Sequence, residues 1–125
     1  MGMIGSVKKL LRDNVLFLTA VAFLFLADLR SDLYYIRTGS MEPELPVGTV
    51  VVTDRYADPE IGAVFAYQSG GNIIIHRIIG IDGGGYVTKG DANPMPDAVS
   101  VTRGQIKGKV VLELTFLAPL LRTLL

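Results

Sequence analysis

Hydrophobic and polar positions divide the chain into three stretches. Between Val15 and Ala27 there is no charge and no helix breaker, and Lys8, Lys9 and Arg12 stand just before this run. The pattern predicts a membrane helix. A span needs roughly 17 to 25 residues at about 1.5 Å each, so the helix must take in Leu10, Leu11 and Leu29, with Arg12 and Arg30 snorkelling toward the headgroups. A cleaved secretory signal has the same layout, but Phe25-Leu26-Ala27 at its end spoils the small-x-small cleavage pattern. The reading is therefore an uncleaved anchor, with the basic cluster in the cytoplasm and everything after Arg30 on the extracytoplasmic or lumenal side.

From Leu33 onward the solid apolar block gives way to short β-rich runs separated by turn residues. Val47 to Thr53, entered through Pro46, reads as a strand, and Ala63 to Tyr67 as a second. Gly70-Gly71 supplies a turn. Asn72 to Ile81 is the strongest strand signal: isoleucines surround His76 and Arg77 with almost no polar relief, which predicts burial on both faces. Gly83-Gly84-Gly85 reverses the chain into Tyr86-Val87-Thr88 as a hairpin, and residues 104 to 112 form one more strand. The fold class is mainly β: a small antiparallel β-domain behind an N-terminal transmembrane helix, with no helix inside the β-domain. The last stretch is apolar apart from Thr115, Arg122 and Thr123 and is interrupted by Pro119. It is short and broken for a second membrane segment, the alternative to a single-pass chain, and otherwise lies on the bilayer surface, packs against the anchor or faces the core. The organisation is thus residues 1–30 as cytoplasmic tip and anchor, 31–113 as the β-domain, and 114–125 as an apolar, membrane-associated or core-facing segment.

Composition narrows the chemistry. Of 125 residues, half are hydrophobic, and twelve basic side chains balance twelve acidic ones. No field of one sign exists to attract nucleic acid. The absence of cysteine removes thiol nucleophiles, disulfides and cysteine zinc sites. With a single histidine there is no histidine-rich metal site, so any imidazole chemistry falls to His76.

Three segments carry polar groups that a purely structural account does not readily explain. Ser40 stands in Thr38-Gly39-Ser40-Met41-Glu42-Pro43, a loop with a flexible residue before the serine and a stiff one after it. His76 lies within the isoleucine strand on the face of Ile74 and Ile78, with Arg77 pointing the other way. Lys89-Gly90-Asp91-Ala92-Asn93-Pro94-Met95-Pro96-Asp97 is a proline-stiffened loop with two carboxylates six positions apart. A serine hydroxyl is a weak nucleophile until a base takes its proton, and a carboxylate on the far ring nitrogen of that base fixes its tautomer. One serine, one histidine and either Asp91 or Asp97 suffice for acyl transfer. The plainer alternatives are a polar turn, a hydrogen-bonded core histidine and turn-forming aspartates.

Gly39-Ser40-Met41-Glu42-Pro43, Ile75-His76-Arg77-Ile78 and Lys89-Gly90-Asp91-Ala92-Asn93, in that order behind an N-terminal anchor, closely resemble type I signal peptidases. These are membrane-bound serine endopeptidases that remove signal peptides from exported preproteins. Bacterial housekeeping members carry lysine as the general base where this chain has His76, so it is similar to the endoplasmic-reticulum and archaeal type. The resemblance implies a β-domain of the signal peptidase type, Ser40 as nucleophile, His76 as general base, Asp97 as third member and Asp91 as a supporting residue. It also implies an oxyanion hole from Thr38 and the Ser40 N–H, with no metal and no cofactor. Implied partners are the signal peptides of preproteins, the lipid bilayer and accessory subunits. The position after Asp91 departs from the family: Ala92 stands where asparagine is usual, leaving Asn93 to match. Two rivals remain. One is a non-catalytic membrane-anchored β-domain serving as a subunit or binding module; the other is a serine-lysine self-cleaving regulator, disfavoured because no lysine replaces His76.

Overall fold

A computed structural model describes residues 2–125, apart from the side chains of residues 25–28. The chain divides into two compact units, one ending at Arg30 and the other Ser31–Leu125.

The first unit holds α1 (Gly2–Asp13) and α2 (Val15–Asp28). Helical hydrogen bonding continues through Asn14, whose N–H donates to the Leu10 carbonyl at 3.1 Å and whose carbonyl accepts from the Leu18 N–H at 2.8 Å. Asn14 Nδ2 also donates to the Leu10 carbonyl at 2.7 Å, a local bond that competes with the regular ladder. The expected single span from Leu10 to Leu29 falls in two elements that meet at Asn14. Among the described residues no helix is long and apolar enough to cross a membrane. At about 1.5 Å per residue α2 reaches about 21 Å, against a hydrocarbon core of about 30 Å. Phe25-Leu26-Ala27, where the bulk of Phe25 is expected to prevent cleavage, lies in α2 with its side chains outside the description.

The second unit is a six-stranded antiparallel sheet with the order β1-β2-β6-β3-β4-β5. Its strands are β1 (Ser31–Tyr35), β2 (Val50–Asp54), β3 (Val64–Ser69), β4 (Asn72–Asp82), β5 (Gly85–Lys89) and β6 (Ile106–Leu114). Gly-Gly turns at 70–71 and 83–84, both with positive φ at each residue, join β3 to β4 and β4 to β5, as the sequence suggested. Alternation along β2 buries Val51 and Thr53, and the core gathers Ile36, Met41, Leu45, Val51 and Val64, with Tyr34, Ile75 and Val110 against it. Each buried aliphatic side chain of this kind contributes about 1.5–3 kcal/mol.

Two expectations change. The isoleucine strand is not buried along its whole length: Ile73, Ile79 and Ile81 are exposed while His76 and Ile78 are buried. The exposed positions lie toward the ends of β4, while in its middle Ile75 packs, partly buried, against the core on the face opposite His76. The C-terminal stretch is helical from Ala118 to Leu124 (α3), with Pro119 in its first turn, where a missing N–H is tolerated. Buried Ala118 sits on Gly48, where a Cβ would lie 2.7 Å from the Ala118 carbonyl oxygen and 2.8 Å from Arg122 Cγ.

Candidate active site

His76 sits mid-strand, opposite Phe65 of β3. In the same register Tyr67 of β3 lies opposite Ile74, and Thr88 of β5 lies opposite Ile78. Side chains at 74, 76 and 78 share a face, so Tyr67 and Thr88 flank the imidazole diagonally from the two neighbouring strands.

Ser40 comes from the other side, on a 3-10 turn (Gly39–Met41) that follows extended Thr38. Its Oγ is 3.2 Å from His76 Nε2 and 3.2 Å from Thr38 Oγ1. The loop after β5 closes the site. The Ala92 N–H donates to the Ser40 carbonyl at 2.9 Å, and the Asp91 N–H meets Met41 Sδ at 3.4 Å. A further bond from the Asp97 N–H to the Thr88 carbonyl, at 2.8 Å, holds the end of the loop on β5. Gly90 passes so close that a Cβ there would stand 2.7 Å from the Ser40 carbonyl oxygen, 2.7 Å from Asn93 Nδ2 and 3.0 Å from His76 Nε2.

The two aspartates divide cleanly. Asp97 Oδ2 is 2.7 Å from His76 Nδ1 and also accepts from Thr88 Oγ1 at 2.7 Å and Tyr67 OH at 2.9 Å. Burial alone would raise the Asp97 carboxyl, but the bonds from His76, Thr88 and Tyr67 prevail and hold it below the usual value. Burial pushes the Tyr67 phenol up to about 12, so it remains a donor. Asp91 is gripped by Arg77, Nε to Oδ1 at 2.9 Å and Nη2 to Oδ2 at 2.7 Å. That pairing lowers the Asp91 carboxyl and raises the guanidinium. Arg77 Nη1 also donates to the Gly62 carbonyl at 2.7 Å, tying the loop to the start of β3.

Ser40, His76 and Asp97 thus form one hydrogen-bonded line, with Thr38 beside the serine and Asp91 outside it, on Arg77. An Nδ1–H held by the Asp97 carboxylate leaves Nε2 as an acceptor aimed at a hydroxyl, which is the arrangement for removing a serine proton. Among the described residues there is no group of three or more histidine, aspartate or glutamate side chains placed to hold a metal. Sequence reasoning missed Tyr67 and Thr88. The available signal was a hydroxyl at Tyr67 and at Thr88 within strand runs, which becomes informative only once the register is known.

A cleft of about 690 Å³ opens in front of Ser40 and His76, lined by Leu33 to Thr38 on one side and Asn72 to Ile75 on the other. β1 pairs with β2 alone, and β4 pairs with β5 only from Arg77 onward, so among the described residues each run facing the cleft has one strand edge unpaired. No protein-family model matches the chain, and no curated protein matches it.

Proposed function

We propose that the chain is a membrane-associated serine endopeptidase of the type I signal peptidase kind, of the Ser-His type, which removes signal peptides from exported preproteins. The observation that carries this reading is the line Ser40 Oγ, His76 Nε2, His76 Nδ1, Asp97 Oδ2 at the head of a cleft bounded by two open strand edges. Such edges accept an extended peptide through main-chain hydrogen bonds, while adjoining side chains select what fits beside them.

In the proposed reaction Ser40 attacks the scissile carbonyl as His76 accepts its proton. Asp97 holds the ring and stabilises the imidazolium, and Thr38 Oγ1 with the Ser40 N–H supports the developing oxyanion. His76 then passes the proton to the leaving amine, and water releases the acyl group from Ser40. Arg77 and Asp91 keep the loop that carries Asp97 seated against the serine turn.

Membrane association belongs to the same proposal. Leu33, Val52 and Leu112 form one lateral row across β1, β2 and β6, with Leu33 and Leu112 exposed at 69% and 52%. Phe116, Leu120 and Leu124 are exposed at and beyond the end of β6. An apolar surface of that kind fits a bilayer, and α1 with α2 supplies the attachment, oriented so that the sheet unit faces the extracytoplasmic or lumenal side. The test is to incubate the chain in detergent with a preprotein and sequence the new N-terminus. A single cut at the end of the signal peptide, after a small residue, is expected. An intact preprotein, or cuts scattered through the mature region, would overturn the reading.

A further inference from the structure

Asp97 offers one oxygen, Oδ2, to three donors at once: His76 Nδ1, Thr88 Oγ1 and Tyr67 OH. A proton acceptor for serine needs only the first. The other two come from separate strands, and both residues are buried, Thr88 completely and Tyr67 to 3% exposure. Their hydroxyls are 3.2 Å apart, and the tyrosine ring stands edge-on to the imidazole at 70°. Buried polar groups brought together on one atom polarise each other and act as a network.

We propose that Tyr67 and Thr88 are positioning residues that act on His76 through Asp97, fixing the carboxylate's direction and limiting the negative charge it presents to the imidazole. A carboxylate that donates part of its charge to two hydroxyls stabilises an imidazolium less than one that keeps that charge for the ring. The pair therefore keeps the imidazole free to accept a proton while Asp97 still sets its tautomer. Burial of the phenol supports this, because a tyrosine pushed up to about 12 stays a donor throughout the working range.

The other groups around the ring do not supply the same control. Ser40 approaches Nε2 from the 3-10 turn and carries no charge. Asp91, on the loop after β5, has both carboxylate oxygens on Arg77, which lies on the opposite face of β4. Lys89 of β5 donates to the Gly90 carbonyl at 3.0 Å and lies 3.5 Å from the Asp91 carbonyl. From β3 the neighbours are Phe65, directly opposite, and Tyr67 itself.

The catalytic meaning of this arrangement rests on the proposed protease reading, but its test does not. His76 is the only histidine in the chain, so its imidazole nitrogen signals need no assignment. The experiment follows them by NMR from about pH 4 to about pH 9 in the full chain in micelles, for wild type, Tyr67→Phe, Thr88→Val, Thr88→Ser and Asp97→Asn. Tyr67→Phe and Thr88→Val are each expected to raise the titration midpoint by roughly half a unit to one unit. Thr88→Ser, which keeps the hydroxyl, should titrate as wild type, and Asp97→Asn should move the midpoint down. An unchanged or lowered midpoint in Tyr67→Phe and Thr88→Val would overturn the proposal. Thr88→Val preserves side-chain shape and decides the matter if Tyr67→Phe does not fold. A raised midpoint in a chain that cleaves no preprotein would leave the positioning role standing and remove the protease. Cleavage with an unmoved midpoint would do the reverse.

Discussion

Arg77 and Asp91 meet side by side, two nitrogens against two oxygens at 2.9 and 2.7 Å, across the gap between β4 and the loop that follows β5. Both side chains are partly buried. The pair fastens the loop one residue after Gly90 and six before Asp97, so its geometry controls how the third member of the line reaches His76. Removing one partner leaves a partly buried charge without its counter-ion. Arg77→Ala is expected to cost about 1–3 kcal/mol of stability and to cut preprotein cleavage by roughly tenfold or more. Arg77→Lys cannot make the two-pronged contact and should recover stability better than activity. Urea unfolding and cleavage rates on the same samples check both.

Gly90 makes a second, sharper prediction. Its missing side chain leaves room for Asn93 Nδ2, the Ser40 carbonyl and His76 Nε2 to converge. Gly90→Ala puts a methyl group 2.7 Å from a backbone oxygen and 3.0 Å from the ring nitrogen, so either the loop or the serine turn must shift. A displacement of the order of 1 Å at reacting groups lowers rates by about 100-fold. Cleavage should fall by at least that much, while the amide spectrum remains that of the folded sheet. A rate near wild type would contradict the close approach.

Much of this architecture is legible in the residues, and the exceptions have physical reasons. β4 and β5 are visible because two glycine pairs punctuate an isoleucine-rich run, and Ser40 and His76 stand out as polar groups in constrained settings. β1 was missed because Ser31-Asp32 opens it with polar residues, Asp32 being held by Arg55 at 2.7 Å, a contact local pattern does not reveal. α3 was missed because Pro119 read as an interruption, although a proline in the first turn begins a helix as readily as it breaks one. The half-exposed β4 shows the limit of composition: an apolar run reports a preference for burial, but what packs against each position decides whether it is met, as exposed Ile79 beside buried Ile78 shows. The choice between Asp91 and Asp97, open from the residues alone, came down to a register that put Thr88 and Tyr67 around one and Arg77 on the other.

Acid should destabilise the fold in a defined direction. The Arg55 hydrogen bonds lower Asp32, the Arg77 bonds lower Asp91, and Asp97 lies low because its bonds outweigh the opposing effect of burial. A carboxyl depressed in the folded state contributes stability that is fully present above its unfolded value of about 3.9 and is lost as pH falls through the folded values. Urea midpoints should therefore be level near neutrality and drop below about pH 4. Asp91→Asn should lower the neutral midpoint and flatten that acid drop. A midpoint in the wild-type chain that does not change with acid would contradict the pairing.

Thr49 carries a fully buried hydroxyl, and its Oγ1 is the one described buried side-chain oxygen or nitrogen without a hydrogen-bond partner. Leaving such a group unsatisfied costs about 1–3 kcal/mol. Thr49→Val keeps the shape and removes the orphan, so thermal or urea unfolding should show a gain of roughly 1 kcal/mol. A loss of that size would mean that the hydroxyl has a partner.

The most direct measurement is the rate of preprotein cleavage by Ser40→Ala beside the wild-type chain, in the same detergent and with equal folded protein. The account predicts clean processing by the wild type and a drop of at least about 1,000-fold in the variant, since the hydroxyl that meets His76 Nε2 is then gone. Processing by Ser40→Ala at a rate close to wild type would contradict it, because the bond would then be cut by something other than the serine that His76 and Asp97 are arranged to serve.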